Sequence, residues 1–372
     1  MAQQKGANVK LVVGFQDDIE TPATAGFVLP VNTIGLRPAQ ALNQAQTLTG
    51  SRQPTQPFRG NKDVSGQVVI PVDSRAMYHW LKGMFGAPVT AAAAAVTWAG
   101  EQARSTGYLA VPTVENGRYY EVTTGGTTAA TEPTWPTTVG ATVVDGTVTW
   151  TCRAITHVYT IPDAQPYMTI EEQMTDLDDP AYIRYLGCKI GSMQLDVGGD
   201  GELVATMDVM GADYEIDTDP FDADPTDVPI ARLSNFQGQV TIDTEASLIC
   251  TNMSLEIAND LDGDQFVIGG GGVRGEIPEG IAGISGGFTT LFRDITLMQA
   301  AIDGDPVALE LAFVHTPVSA LAFATPLVEF GVNAPQIQGP RGVRLELDYQ
   351  AYGQPGVEAL TVTLTNIDRH AA

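Results

Sequence analysis

One pentapeptide of this sequence has the residue types and spacing of a nucleophile turn in hydrolases. Residues 283–287, Gly-Ile-Ser-Gly-Gly, match the pattern G-x-S-x-G, in which a serine is exposed between a strand and a helix. A helix must follow such a turn at once, whereas residues 288–292 continue a strand pattern. His315 or His370 could serve as the base only if folding happened to place one beside the serine. We therefore predict a strand of small residues here rather than a hydrolase site.

Three further stretches have the residue types of ligand loops. Residues 259–264 (Asn-Asp-Leu-Asp-Gly-Asp) cluster carboxylates as a calcium loop does, but they lack the terminal Glu that chelates through two oxygens. The acidic stretch 213–227 is more typical of an exposed linker than of a cation site. Glycines 269–272 have neither the Walker lysine nor a predicted helix after them. The histidines show no metal-ligand spacing, and His79 is expected at the surface or at a boundary. No metal and no cofactor are predicted.

Five aromatic residues between positions 88 and 157 have two interpretations. They could form a platform on which sugars stack, or they could be the core of a small β module, which is the commoner role of such residues. Both interpretations stay open for Trp98, Tyr119, Tyr120, Trp135 and Trp150.

Composition limits the class of protein to which these residues belong. The 372 residues include 19 Lys plus Arg against 44 Asp plus Glu, which gives a formal net charge of −25 and excludes a dedicated nucleic-acid-binding surface. The 44% apolar fraction is typical of a folded chain. No apolar run approaches the roughly 18 residues of a membrane helix. The N-terminal residues do not resemble a signal peptide, and the three cysteines lack CxxC spacing, so a reducing cytoplasm is expected.

Alternating apolar and polar residues indicate that strands carry most of the fold. Residues 192–197, 203–209, 254–257 and 343–349 each have the period of a half-buried strand. Helical spacing occurs at two places. Asp73 is a candidate cap for a helix over residues 74–85, with Met77, Trp80, Leu81, Met84 and Phe85 on one face. Asp294 is a candidate cap for a shorter helix with Leu297, Met298, Ala301 and Ile302 on one side.

An internal repeat appears when the second half of the chain is shifted by 220 residues. Residues 64–67 then lie over residues 284–287, and Met77 and Leu81 fall on Leu297 and Ala301. We interpret this as a duplicated β-rich domain with one insertion. The predicted boundaries are 1–87 with 158–215 for the first domain, 88–157 for the inserted module, 216–227 for an acidic linker and 228–372 for the second domain.

The order of these segments resembles that of a known family. An apolar strand, Ser-Gly, a capped helix, Gly and long acid-bearing hairpins are similar to the tail tube proteins of long-tailed, siphovirus-like bacteriophages. The similarity is greatest from residue 189 through residue 211 and over residues 251–260. Within the insertion, residues 132–136 and 145–150 resemble a small β module that recurs in phage virion proteins.

The resemblance implies a fold, a role and a set of partners. The fold would be mainly β, with two tail-tube-like β-sandwich domains, each with a short flanking helix, and an inserted small β domain. The chain would be a structural virion protein and not an enzyme, stacked as rings around a DNA-conducting channel. Tape-measure and tail terminator proteins would be partners, viral DNA a passing cargo, and the virion tail its location after assembly in the host cytoplasm. No membrane insertion is implied.

The resemblance also assigns roles to individual residues. Acidic residues on the alternating strands would line the channel, although one sequence does not say which face of each strand points inward. The candidates are Asp196, Asp208, Glu256, Glu346 and Asp348. Two domains per chain favour a trimeric ring with pseudo-sixfold symmetry over a hexamer. The alternative class is an exported glycan-binding or hydrolytic β protein.

Overall fold

The computed structural model describes residues 3–243, 245–246, 250–335, 337 and 339–370. Before residue 175 the strands are β1 Lys10–Phe15, β2 Phe27–Leu29, β3 Thr33–Ile34, β4 Arg37–Asn43, β5 Phe58–Pro71, β6 Val89–Thr90, β7 Val96–Thr97, β8 Ala103–Arg104, β9 Leu109–Val111, β10 Arg118–Thr124, β11 Gly126–Thr127, β12 Thr142–Asp145, β13 Val148–Thr160 and β14 Met168–Met174. The later strands are β15 Ala181–Val197, β16 Val204–Gly211, β17 Asp213–Asp217, β18 Thr226–Asp227, β19 Gly238–Ile242, β20 Glu245–Ala246, β21 Cys250–Ala258, β22 Gly283–Leu291, β23 Val307–Thr316, β24 Ser319–Phe330, β25 Arg344–Ala351 and β26 Thr361–Asn366. The helices are α1 Met77–Phe85 and α2 Thr296–Asp303, with 3-10 turns at Gly6–Asn8 and Asn235–Gln237. The prediction of a mainly β fold is confirmed.

One antiparallel sheet runs through both halves of the chain, and we call it the central sheet. Its strand order is β4–β5–β16–β15–β21–β22–β25, so β15 of the first half pairs directly with β21 of the second. Alternate residues of these strands are buried on one side, as the period-2 pattern predicts. The other side faces solvent.

The long strands β15 and β24 belong to the central sheet and to a second layer of strands. The first part of β15 pairs with β14 and β17, and β14 pairs with β1. The first part of β24 pairs with β23 and β26, and β23 pairs with β19. Buried residues from both layers and both halves form a single hydrophobic core.

The strand pairings of the first half recur in the second half with constant offsets in residue number. Met207 lies opposite Val68, and Leu347, 140 positions later, lies opposite Phe288, 220 positions after Val68. The order β1–β14–β15–β17 recurs as β19–β23–β24–β26. The offset of 220 is the one that the helix alignment gave. This regularity supports the duplication, but because the halves share one core, the division into two domains stays a prediction.

The first helix begins three residues later than predicted. Asp73 accepts hydrogen bonds from the backbone N–H groups of Arg75 and Ala76, at 2.6 and 2.7 Å, but residues 74–76 form a turn. The N–H groups of Tyr78 and His79 are bonded to the carbonyls three residues earlier, those of Arg75 and Ala76, so the chain enters the helix through tighter turns than those of an α-helix. The five predicted core residues of α1 are all buried.

The second helix buries less than its spacing predicts. Asp294 accepts a hydrogen bond from the N–H of Thr296 at 2.9 Å. Ala301 is buried, and Leu297 and Met298 pack at the margin of the core. Ile302, expected on the same side, is more than half exposed because α2 covers only one edge of the core.

The chain enters and leaves the inserted module through two neighbouring strands, β6 and β13. In β13, residues 148–154 pair with β10 and β12 of the module, whereas residues 155–160 pair with β26 of the main body. The strand β6 lies beside the second part of β13, with Thr90 opposite His157. The module has its own small core and is fixed to the body by a continuous strand.

The acidic stretch after β17 lies along the first half of the chain. Asp222 accepts a hydrogen bond from the N–H of Gly26 at 2.7 Å, and the N–H of Phe221 is bonded to Glu171. The strand β18 then pairs in parallel with β2. The stretch predicted as a linker is therefore held in place at several points.

Candidate functional site

All five predicted channel residues lie on the solvent side of the central sheet. Their neighbours along each strand, such as Leu195, Met207 and Leu347, point into the core. Because side chains alternate across a strand, the acids of β15, β16, β21 and β25 share the opposite face. We call this surface the acidic face, and its acids are Asp196, Asp208, Glu256, Glu346 and Asp348.

The register of the strands places these acids in rows across the sheet. Asp196 lies opposite Ser254, which lies opposite Gly287, which lies opposite Asp348. These rows alternate carboxylates with small or neutral residues, so no two of these acids are directly opposed. Such spacing limits repulsion within the sheet, since like charges directly opposite are destabilising.

Neutral polar side chains orient two of the acids. The hydroxyl of Ser192 donates a hydrogen bond to Asp208 at 2.9 Å, and the amide of Gln194 donates to Glu256 at 3.3 Å. Neither acid forms an ion pair with any described residue. Their negative charge is therefore directed at solvent.

Strands of the central sheet also carry cations: Lys62 of β5 and Lys189 of β15 pair with Asp213 and Glu279, and Arg59 lies near the start of β5. Two further arginines stand at the starts of strands. Arg344 is at the start of β25, opposite Leu291, and Arg37 is at the start of β4, opposite Ser65. Most of the surface between these two arginines is acidic or neutral. A face with this charge distribution repels a polyanion such as DNA and does not offer it a binding groove.

The G-x-S-x-G motif lies inside the acidic face and lacks the geometry of a nucleophile turn. Ser285 is in the middle of β22, opposite Glu256 and Gln350, and β22 continues to Leu291. No hydrogen bond joins Ser285 to a histidine among the described residues. The predicted strand of small residues is confirmed.

The aromatic residues of the module form much of its core. Tyr120 and Trp150 are fully buried, so these two rings cannot form part of a sugar platform in this conformation. Asp145 accepts hydrogen bonds from the indole N–H groups of Trp98 and Trp150, at 2.8 and 3.1 Å. Burial raises the pKa of Tyr120 to about 12, and its hydroxyl donates to the carbonyl of Pro136.

The remaining two aromatic residues lie at the margin of the module core. Trp135 packs against Tyr120, with ring centroids 4.2 Å apart, and its indole N–H donates to Glu132. Tyr119 is half-buried beside a separate small cluster. The five rings therefore do not share one exposed surface.

Hydrogen bonds hold two of the ligand-like loops in place. The carboxylate of Asp262 accepts from the N–H of Asp264 and from the amide of Gln265. In the glycine stretch, the carbonyl of Gly272 accepts from the N–H of Lys62. No group of three His, Cys, Asp or Glu side chains within the described ranges could hold a metal ion.

His79 corrects one expectation from the sequence. It was expected at the surface or at a boundary, but its side chain is only 2% exposed. Phe27 and His370 pack against it from distant parts of the chain. A single-helix pattern contains no signal for these long-range contacts.

Contacts between the two halves were not predicted from the sequence. The ammonium of Lys189 on β15 lies 2.7 Å from the carboxylate of Glu279, and both groups are largely buried. Arg274 of the second half donates to the carbonyl of Gly211 in the first half at 2.7 Å, and to that of Gly263 in its own half at 2.6 Å. Lys189 and Glu279, like Arg274 and Gly211, are far apart in the sequence, so no local pattern predicts these contacts.

These features define the class of the protein: layered antiparallel sheets with one acidic face. A family model described as phage tail tube protein matches residues 6–351. The chain belongs to this family, as the resemblance implied, and is a structural tail tube protein of the virion tail. No curated protein sequence matches the chain. Neither of the two helices in the described part of the chain has the length and apolar character needed to cross a membrane.

Proposed function

We propose that this chain is the major subunit of the tail tube and that its copies form stacked rings around a DNA-conducting channel. The acidic face would line the bore. The observation that carries the proposal is the placement of all five acids on one solvent-facing side of a sheet that spans both halves. A negative wall keeps DNA from adhering, because the phosphates and the carboxylates repel each other.

The ring is proposed to contain three copies, each supplying two similar units. The recurring strand register supports two units per chain. Within the described part of the chain, the central sheet ends on one side at β4, which pairs only with β5. On the other side it ends at β25, which pairs with β24 only through Val328–Phe330. Closing these ends between copies would remove sheet edges that otherwise invite aggregation.

The other partners follow from the resemblance. Tape-measure and tail terminator proteins would define the length and the end of the tube, and DNA would pass through it during genome ejection. Assembly would take place in the host cytoplasm. The exported glycan-binding or hydrolytic alternative is not favoured, because Ser285 lies mid-strand and the aromatic rings do not share one surface.

Charge reversal on the acidic face tests the proposal. In virions that carry Asp196→Lys, Glu256→Lys and Asp348→Lys together, we expect tubes to form but DNA release to be slowed or blocked. The measurement is the fraction of the genome that becomes sensitive to nuclease after ejection is triggered. Normal release from these virions would overturn the channel assignment.

A matched variant separates local charge from total charge. Asp163, Asp224 and Asp305 are exposed acids away from the acidic face. Their replacement by Lys changes the net charge by the same amount and should leave DNA release unchanged. An equal defect in both variants would mean that total charge, and not the acidic face, controls release.

A further inference from the structure

One loop of the second half covers the end of the β15–β16 pair of the first half. It runs from Asn259 to Glu279 after β21. The N–H of Asn259 donates to the carbonyl of Gly191 at 2.8 Å, and Glu279 pairs with Lys189. The side chains of Lys189 and Glu279 are only 4% and 18% exposed. This loop is a main contact between the two halves.

The corresponding surface of the second half is the end of the β24–β25 pair. Ile190 lies opposite Val209, and Phe330 lies opposite Tyr349, so both strands correspond with an offset of 140. A side chain at Gly191 would lie 3.6 Å from the carbonyl oxygen of its neighbour Asp208. At Gly331 the same distance, to Asp348, is 3.7 Å. The two surfaces therefore share their local geometry.

The second-half surface is an open cleft of about 720 Å³. The offset of 140 places Glu329 where the first half has Lys189. Glu329 is exposed and has no ion-pair partner among the described residues. Glu329, Phe330, Gly331 and Tyr352 line the cleft together with residues of β22 and β25 that include Ser285 and Asp348, so the cleft lies where the acidic face meets β24.

The repeat also identifies the segment of the first half that corresponds to the Asn259–Glu279 loop. Ser254 lies opposite Gly287 of β22, and the N–H of Gly35 is bonded to the carbonyl of Gln67, the residue of β5 that lies 220 positions before Gly287. Ser254 and Gly35 are also each followed by a buried leucine. Ser254 in β21 therefore corresponds to Gly35 with an offset of 219. With 220 for β5 and β22, residues 259–279 correspond to residues 40–59, which comprise the end of β4, the connection 44–57 and the first two residues of β5. Arg59 then stands where the second half has Glu279.

Residues 40–59 are mostly exposed, and the side-chain hydrogen bonds of Thr55 and Arg59 stay within this segment. The hydroxyl of Thr55 donates to the carbonyl of Ala45, and Arg59 donates to Gln40. Leu48 is 99% exposed, and Phe58 is more than half exposed. These exposed apolar side chains are available for burial against another copy in an assembly.

We propose that residues 40–59 of one copy cover the Glu329–Tyr352 cleft of the next copy in the ring. Arg59 of one copy would pair with Glu329 of the other, as Glu279 pairs with Lys189 within the chain. The proposal rests on the proposed self-assembly and adds the segment, the cleft and the ion pair that join the copies.

The ion pair within the chain and the proposed ion pair between copies have opposite arrangements of charge on strand and loop. This difference gives the contact its specificity. Within the chain the strand carries Lys and the loop carries Glu; between copies the strand carries Glu and the loop carries Arg. If the two loops changed places, Arg59 would meet Lys189 and Glu279 would meet Glu329. Both meetings are repulsive, so each loop is directed to its own cleft.

Charge exchange tests the contact. Arg59→Glu and Glu329→Arg should each lower the assembled fraction by roughly tenfold or more, because each places two like charges together. The double variant Arg59→Glu with Glu329→Arg should recover assembly. The assembled fraction is measured by sedimentation and electron microscopy, with circular dichroism of each unassembled chain to show that it is folded. Asp305→Arg and Lys10→Glu, both at exposed positions, are the matched controls.

Cross-linking provides a second readout that does not depend on loss of assembly. With Arg59→Cys and Glu329→Cys in the same chain, oxidised assemblies should give covalent multimers on a non-reducing gel, and Arg59→Cys alone should not. Tubes that form from single charge variants as from wild type, or that show no cross-link, would overturn this contact and leave the tube function standing. Failure of the wild-type chain to form tubes would instead contradict the proposed function.

Discussion

Three of the four histidines meet around Tyr78, although they come from three separate elements. The ring of His370 stacks on Tyr78 with centroids 3.6 Å apart, and it lies 5.5 Å from the rings of His79 and His157. Desolvation by burial, aided by the neighbouring His370, lowers the pKa of His79 to about 3. Burial, with His157 next in effect, lowers the pKa of His370 to about 4. The folded chain therefore holds this cluster neutral.

This cluster predicts a loss of stability in mild acid. An unfolded histidine has a pKa near 6.5, so below that pH the unfolded chain binds protons that the folded chain does not accept. The stabilisation is complete above about pH 6.5 and is lost as the pH falls towards 4, at up to about 1.4 kcal/mol per pH unit for each histidine. His79→Phe should reduce this slope when urea unfolding is measured at pH 7.5 and pH 5.

An exposed histidine supplies the control. His315 lies on the surface and contacts Gln237, so His315→Gln should leave the acid slope as in wild type. Equal slopes for His79→Phe and wild type would show that carboxylates elsewhere, and not the cluster, cause the acid sensitivity.

At the scale of single elements, β22 shows why a strand carries consecutive glycines. A side chain at Gly286 would overlap the carbonyl oxygen of Ser254 and come within 2.7 Å of the hydroxyl of Tyr349. That hydroxyl donates to the same Ser254 carbonyl at 2.9 Å. Gly286, which occupies the second variable position of the G-x-S-x-G pattern, thus has a packing role.

Two glycine substitutions in this strand should have different effects. Gly286→Ala should lower the free energy of unfolding by about 1–3 kcal/mol or more, because backbone atoms must move to make room. Gly283→Ala should change it by less than about 0.5 kcal/mol, since nothing lies within 4 Å of the added carbon. Urea unfolding of both variants measures this, and similar losses would contradict the packing explanation.

How much of each element the sequence predicts depends on the range of the interactions that determine it. Alternation along β25 identifies Leu345 and Leu347 as buried and Glu346 as exposed, because burial on a strand is a local period. The neighbour relation of β15 and β21, which joins the acids into one face, comes from packing across 60 residues and has no local signal. The burial of His79 and the cover over Lys189 were missed for the same reason.

At the scale of the whole molecule, the inserted module should be dispensable for assembly. The N–H of Ala91 donates to the carbonyl of Thr156, so the chain enters and leaves the module at one point of a hairpin. Replacing residues 92–155 by Asn-Gly, which favours a two-residue hairpin turn, should preserve tubes. Electron microscopy checks the result.

The module also touches the C-terminal segment, and this contact determines the expected cost of its removal. Arg369 donates to the carbonyl of Ala95 and pairs with Glu115. We expect a lower melting temperature for the shortened chain, with assembly retained. A shortened chain that folds but no longer forms tubes would place the module at the interface between copies.

The last prediction concerns the number of copies in a ring. The two halves of one chain are joined by the β15–β21 pairing and by the Asn259–Glu279 loop, and the proposed contact between copies uses the equivalent loop and cleft. If both contacts turn the chain through the same angle, each copy supplies two of the units of a closed ring. A sixfold arrangement of units then needs three copies, with a mass of about 118 kDa (3 × 39.4), whereas six copies would weigh about 236 kDa (6 × 39.4). Native mass spectrometry of single rings, together with averaged end views, measures this difference. A ring of six full chains would refute the trimer and the equivalence of the two contacts, because twelve units would then surround the bore.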